Sequence, residues 1–185
     1  MRGVACALLL RLRGRQDGVP DGATAIAYGR DERVTDKALL AVSLVELVAV
    51  HLLLPWPLVR LVLLVVSALG CLLLLALLAD TTVRPHVLAT HGLRLRAGSA
   101  VDVTVPLDAV AGVALRRADA ARRVALDGDA LVLGSGGQTQ VELELSRSLP
   151  VRAGRVSGTA RVVRFSADDP AAAVAAVRAG CRAAG

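Results

Sequence analysis

The sequence predicts an α+β membrane protein, in which a two-helix transmembrane hairpin is followed by a small antiparallel β-barrel or sandwich. The chain of 185 residues is 55% hydrophobic, and its mean hydropathy of +0.58 is high for a soluble domain. Two long apolar runs lie between residues 38 and 79, whereas hydrophobic and polar residues alternate with period two after residue 84. The first pattern is typical of membrane helices and the second of strands.

The two apolar runs cover residues 38–54 and 58–79, and Arg60 is the only charged residue of the second run. A hydrocarbon core about 30 Å thick requires roughly 20 helical residues at 1.5 Å each. The segment Pro55-Trp56-Pro57 separates the runs, and its prolines favour the end of one helix and the start of the next. We therefore expect a tight helical hairpin, with Trp56 at the level of the lipid headgroups.

Positive charge predicts the orientation of this hairpin. Residues 1–37 carry seven Lys or Arg residues, further arginines follow the second run, and the turn between the runs carries none. The positive-inside rule then places both termini in the cytoplasm. We expect a multi-pass protein of the cell (inner or plasma) membrane. Its parts would be a cytoplasmic N-terminal lead (1–37), the hairpin (38–79) and a cytoplasmic β-domain (80–185).

Three polar side chains within the predicted membrane segments are candidates for assembly or for contact with a partner: Glu46, His51 and Ser67. Ionisable groups at membrane depth are costly and are often functional. Counted outward from the turn, Glu46 lies opposite the region of Ser67, so a protonated Glu46 could bond that hydroxyl or a partner's helix. These residues have three interpretations: assembly, docking of a partner, and a proton or ion pathway. We favour assembly, because a pathway usually needs more polar residues than a two-helix hairpin offers.

The β-domain is predicted to contain about seven short strands. Leu93–Ala97 and Val141–Leu145 alternate cleanly between hydrophobic and polar residues, and glycine-rich turns separate the strands. The segment Asp168-Asp169-Pro170 then predicts the start of a helix, because Asp is a favoured N-cap residue and Pro a favoured first residue. We expect this helix over residues 170–183, capping the strands.

Several short segments of the chain carry a resemblance to known proteins: Val45-Glu46-Leu47 and His51-Leu52-Leu53 in the hairpin, then Arg84-Pro85-His86, Gly92–Gly98, Val105–Val110 and Asp168-Asp169-Pro170. Their order resembles that of bacterial membrane-anchored proteins with a pleckstrin-homology-like (PH-like) domain. It is more closely similar to uncharacterised integral membrane proteins of high-GC bacteria, and the scarcity of Lys, Ile, Phe, Tyr and Asn fits such a genome. The resemblance implies a PH-like domain that binds a protein or a lipid.

Four arginines in a predicted loop between strands are the candidate ligand-binding residues: Arg116, Arg117, Arg122 and Arg123. The chain has a net charge of +6, and a domain held at the membrane would gain about 1 kcal/mol per arginine near anionic headgroups. Solvated loop charges are the alternative interpretation. An aromatic content of 2% argues against single-stranded nucleic acid as a partner.

Motifs for catalysis or metal binding are lacking. The sequence has no C-x-x-C pair, and Gly134–Gly137 lacks the Lys of a phosphate-binding loop. His86 and His91 are five residues apart, a spacing that would put them on opposite faces of one strand. We therefore expect no enzyme, cofactor or metal, but a membrane-anchored binding or scaffold protein that docks a protein partner or anionic lipid, or forms a homo-oligomer. The alternative is a small subunit of a transporter or channel that uses Glu46.

Overall fold

The computed structural model describes residues 19–20, 22–98 and 101–184, so most of the predicted N-terminal lead lies outside the described residues. The described chain is α+β, with three helices and nine strands in two sheets. The helices are α1 (Arg30–Leu53), α2 (Pro57–Val83) and α3 (Pro170–Ala184). The strands are β1 (Thr24–Ile26), β2 (His86–Ala89), β3 (Gly92–Ala97), β4 (Val101–Pro106), β5 (Val110–Asp119), β6 (Val124–Asp127), β7 (Ala130–Leu133), β8 (Gln138–Ala153) and β9 (Val156–Phe165).

Helices α1 and α2 contact each other and are joined by residues 54–56. Of the described helices, only α2 is long and apolar enough to cross a membrane, over Pro57–Ala76. Helix α1 begins at Arg30, well before its apolar part, and Glu46 interrupts that part. A multi-pass hairpin was expected, but only its second helix has the length and hydropathy needed to span a membrane.

Most half-buried or buried positions in the apolar parts of the two helices recur at alternating intervals of three and four residues, Ala49 and Ala76 being exceptions. This spacing places them on one face of each helix, as in a coiled-coil seam. We call these positions the seam: Leu40, Ser43, Leu47 and Val50 on α1, and Arg60, Leu64, Ser67, Cys71, Leu74 and Leu78 on α2.

The first sheet has the order β1-β2-β3-β4, and all its neighbours are antiparallel. Strand β1 precedes the two long helices and pairs with β2, which follows them; Thr24 lies opposite Leu88, and Ile26 opposite His86. The helices are thus inserted between two adjacent strands of one sheet. The β-domain consequently includes residues from before α1, in addition to the predicted range 80–185.

The second sheet has the order β5-β8-β9-β7-β6, which corrects two expectations. The pair β7–β9 is parallel, whereas only antiparallel strands were expected. Strand β8 runs antiparallel to β9, and β9 pairs with β7 on its other side in the parallel direction. The described strands number nine instead of about seven, since β6 was not predicted and the short β1 joins the first sheet. The strands form two sheets and no closed barrel within the described residues.

One hydrophobic core connects both sheets with α3. Leu95, Leu143 and Phe165 are fully buried, and α3 contributes Val177, which is also fully buried. The predicted cap of α3 is confirmed, because the carboxylate of Asp169 accepts the backbone N–H of Ala172 over 2.9 Å. Helix α3 therefore covers the core at the end of the chain, close to the predicted range.

Candidate functional site

The four predicted arginines do not lie in one loop. Arg116 and Arg117 belong to the edge strand β5, whereas Arg122 and Arg123 lie in the connection to β6. Arg116 forms an ion pair with Glu142 at 2.9 Å, and Arg123 forms one with Glu32 at 3.0 Å. Within the described chain, Arg117 and Arg122 have no such partner. The four residues therefore divide into a paired and an unpaired set, and only the unpaired set has free charge to offer a ligand.

Glu142, which is 5% exposed, is the centre of a charge cluster on the second sheet. Its carboxylate accepts hydrogen bonds from Arg164 at 2.7 Å and from Arg116 at 2.9 Å. Burial raises the pKa of Glu142, but the bonds from Arg164 and Arg116 outweigh that effect and hold the pKa below its usual value. The carboxylate therefore stays ionised, and the cluster ties together the central strands β8 and β9 and the edge strand β5.

The first turn of α1 is attached to the β-domain by a set of charged contacts that we call the junction: Glu32, Arg33, Arg123 and Asp168. Glu32 accepts from Arg123 and from the backbone N–H of Gly136, the latter over 2.9 Å. Arg33 forms an ion pair with Asp168, whose other oxygen accepts the backbone N–H that begins α1. The junction thus connects the base of the long helices to the turns of the second sheet. The ion pair with Glu32 leaves the guanidinium group of Arg123 less available to a ligand.

The polar residues of the apolar helices occupy different surfaces. Ser67 lies on the seam, whereas Glu46 and His51 are exposed. Glu46 precedes the seam residue Leu47, and one residue turns a helix by about 100°, so its side chain points away from α2. The expected hydrogen bond between Glu46 and Ser67 is not among the contacts of the described residues. An exposed Glu46 instead leaves its carboxyl available to a neighbouring helix.

His86 is a buried structural residue that the sequence did not identify. It is 1% exposed and stacks on Tyr28, with ring centroids 4.4 Å apart. Burial lowers the pKa of His86 to about 4, so the ring is neutral at physiological pH. The exposed His91 does not share its environment. The described residues bring no three His, Cys, Asp or Glu side chains together in a metal-binding arrangement.

No protein-family model, curated protein or solved structure matches this chain. The resemblance to PH-like proteins therefore stays a prediction from the sequence. The features of the described chain that bear on its function are the apolar helices, the unpaired arginines and the junction.

Proposed function

We propose that this chain is a non-enzymatic, membrane-anchored binding or scaffold protein. Helices α1 and α2 hold a PH-like β-domain at the inner face of the cell membrane, with both termini in the cytoplasm. There the domain docks anionic lipid headgroups or a protein partner, which includes a second copy of the chain. Nucleic acid has no role in this proposal.

The distribution of exposed hydrophobic side chains is the observation that supports membrane anchoring most strongly. Among the described residues, every exposed large hydrophobic side chain except Leu115 lies on α1, on α2 or in their connection. In water such a continuous apolar surface would be unfavourable, and it marks a site of contact with lipid or protein. The β-domain, in contrast, buries its large hydrophobic residues in its own core.

Arg117 and Arg122 are the residues that we expect to contact anionic headgroups. Both are exposed and unpaired in the described structure, and each would contribute about 1 kcal/mol near an anionic surface. Two such contributions change a docking equilibrium by roughly 30-fold. This modest energy suffices because the helices already hold the domain beside the bilayer, at a high effective concentration.

The test compares two double variants with the same change in net charge, Arg117→Gln/Arg122→Gln and Arg116→Gln/Arg123→Gln. The full chain is placed in nanodiscs with and without phosphatidylglycerol. Energy transfer from a dye on the β-domain to a dye on the lipids measures docking. We expect anionic lipid to increase the energy transfer in the parent and in Arg116→Gln/Arg123→Gln, but not in Arg117→Gln/Arg122→Gln. Equal loss in both variants, or no effect of anionic lipid, would contradict the proposal.

Glu46 supports a second role for α1 in assembly. A carboxyl on an apolar helix surface is costly in lipid unless a polar group covers it, and Glu46 is exposed beside Val45 and Val48. We expect Glu46→Gln to weaken crosslinking between copies or to a partner in native membranes, whereas His51→Gln, nearer the turn, leaves it intact. Preserved assembly with lost proton-coupled flux would instead support the transporter or channel alternative.

A further inference from the structure

A pocket of about 240 Å³ lies where α1 and α3 both begin. The first residues of α1 form one side, beginning at Gly29, and Pro170 at the start of α3 forms another. Arg117, Ser135 and Gln140, from the second sheet and its turns, also line it. Helix N-termini carry partial positive charge. Because the backbone N–H of Arg30 is donated to Asp168 and α3 begins with a proline, the donors for a ligand must be side chains.

The hydroxyl of Ser135 provides a second, independent indication of a ligand. Ser135 is 7% exposed, and its buried Oγ has no hydrogen-bond partner in the described structure. A Cβ placed on Gly29 would lie 3.2 Å from this oxygen, which shows that the hydroxyl points toward the start of α1. Gly29 has a φ of 80°, which also favours glycine. A buried hydroxyl without a partner is unfavourable, and a ligand in the pocket would satisfy it.

Further donors at the pocket also have no acceptor among the described residues. Arg30 and Arg117 both line the pocket, and their guanidinium groups form no ion pair with the described part of the chain. The side-chain oxygen of Gln140 accepts the backbone N–H of Ala167 over 3.3 Å, which leaves the amide hydrogens of Gln140 to donate elsewhere. Two cations, a hydroxyl and an amide therefore surround one cavity.

Two carboxylates also line the pocket. Asp168 is neutralised by its ion pair with Arg33 and by the backbone N–H of Arg30. Asp31 is the other, and it has no cationic partner in the described structure. Two unpaired guanidinium groups outweigh this one unpaired acid, so the charge of the pocket favours an anion over a cation.

We propose that this pocket binds a phosphate group. The side-chain donors come from the start of α1, from β5, from the turn before β8 and from β8 itself, an arrangement suited to the several acceptor oxygens of a tetrahedral anion. Arginine is also the side chain best suited to phosphate geometry. The phosphate could be that of a soluble compound or of a lipid headgroup, and only the lipid source rests on the proposed membrane function.

Titration of the full chain in neutral detergent with inorganic phosphate tests the site without a membrane. Calorimetry measures the affinity, and sodium chloride at the same ionic strength is the control. We expect Arg117→Gln to raise the dissociation constant at least about tenfold, the usual effect of losing a charged hydrogen bond. The control variant Arg155→Gln removes an equal charge in the exposed turn between β8 and β9, outside the pocket, and should bind phosphate like the parent.

Ser135→Ala separates ligand binding from folding. We expect this variant to bind phosphate more weakly while its melting temperature without phosphate stays equal to or above that of the parent, because the unpaired hydroxyl is gone.

In nanodiscs, inorganic phosphate should displace the domain from phosphatidylglycerol if the ligand is a lipid headgroup, and should leave docking unchanged if it is soluble. Phosphate binding no stronger than the chloride effect, or equal losses in Arg117→Gln and Arg155→Gln, would overturn the proposal. Lost lipid docking with retained phosphate binding would count against the membrane function alone.

Discussion

Arg96 donates its backbone N–H to Nδ1 of His86 over 3.0 Å, and this bond determines the tautomer of the buried imidazole. Because Nδ1 accepts, the ring proton lies on Nε2, which donates to the carbonyl oxygen of Ser166 at 3.1 Å. The ring stacks on Tyr28, and the edge contact with Phe165 has a centroid distance of 5.4 Å. His86 thus joins the segment before α1 to the end of β9, and protonation of Nδ1 would break the bond from Arg96.

The first prediction is that the β-domain loses stability as the pH falls from 6.5 to 4. The pKa of His86 is lowered from 6.5 to about 4 in the folded state, chiefly by burial. Between these values the unfolded chain binds a proton that the folded chain does not, so stability is complete above pH 6.5 and decreases through this window. The total loss from His86 is about 3 kcal/mol.

Urea unfolding at a series of pH values measures this loss. We expect His86→Gln to lower stability at pH 7 but to flatten its pH dependence, whereas His91→Gln, at an exposed position, retains the slope of the parent. A parent and a His86→Gln variant with the same slope between pH 6.5 and 5 would show that His86 is not responsible.

The second prediction concerns the charge cluster on the second sheet. Glu142→Gln removes the acceptor shared by Arg116 and Arg164, and we expect it to lower the free energy of unfolding by about 2 kcal/mol. Glu144→Gln is the matched control on the same strand; Glu144 is exposed, so its loss should change stability by less than about 0.5 kcal/mol. Chemical denaturation at pH 7 compares the two, and equal effects would contradict the role of burial.

The third prediction follows from the position of β1. A soluble fragment of residues 84–185 lacks Ile26 and Tyr28, which are 6% and 3% exposed in the full chain. A second fragment, in which residues 19–29 are joined to residue 84 by a flexible linker, restores β1. Burial of each large side chain contributes about 1.5–3 kcal/mol, so we expect the joined fragment to be more stable by several kcal/mol. Circular dichroism during thermal unfolding measures the difference, and equal melting temperatures would refute the role of β1.

The fourth prediction is the orientation of the proposed membrane anchor. The test uses a chain without its native cysteines, into which one cysteine is introduced at a time. The positions are Trp56, which is exposed between the helices, and Asp127, which is exposed at the end of β6. An impermeant thiol reagent should label Trp56→Cys in intact cells, and Asp127→Cys only after the cells are opened. Labelling of Asp127→Cys in intact cells would place the β-domain outside and contradict the positive-inside assignment.

The sequence by itself predicted the features that depend on neighbouring residues. The Asp169-Pro170 pair marked the start of α3, because a cap acts within one helical turn. Alternation in segments such as Leu93–Ala97 identified strands, since side chains of a strand face two sides in turn. Prolines at positions 55 and 57 likewise marked the end of α1 and the start of α2 within a few residues.

Only the tertiary structure determined which distant groups meet. Glu142 and Glu144 are both polar positions in the alternating segment of β8, so their side chains face the same side of the sheet. Only Glu142 is buried, because Arg116 and Arg164 from neighbouring strands contact it. Arg123 likewise pairs with Glu32, which is 91 residues earlier in the chain. Such pairs depend on strand order, register and the place where a helix leaves the sheet. A residue pattern determines which side of its own strand or helix a side chain occupies, whereas the packing of elements far apart in the chain determines what covers it.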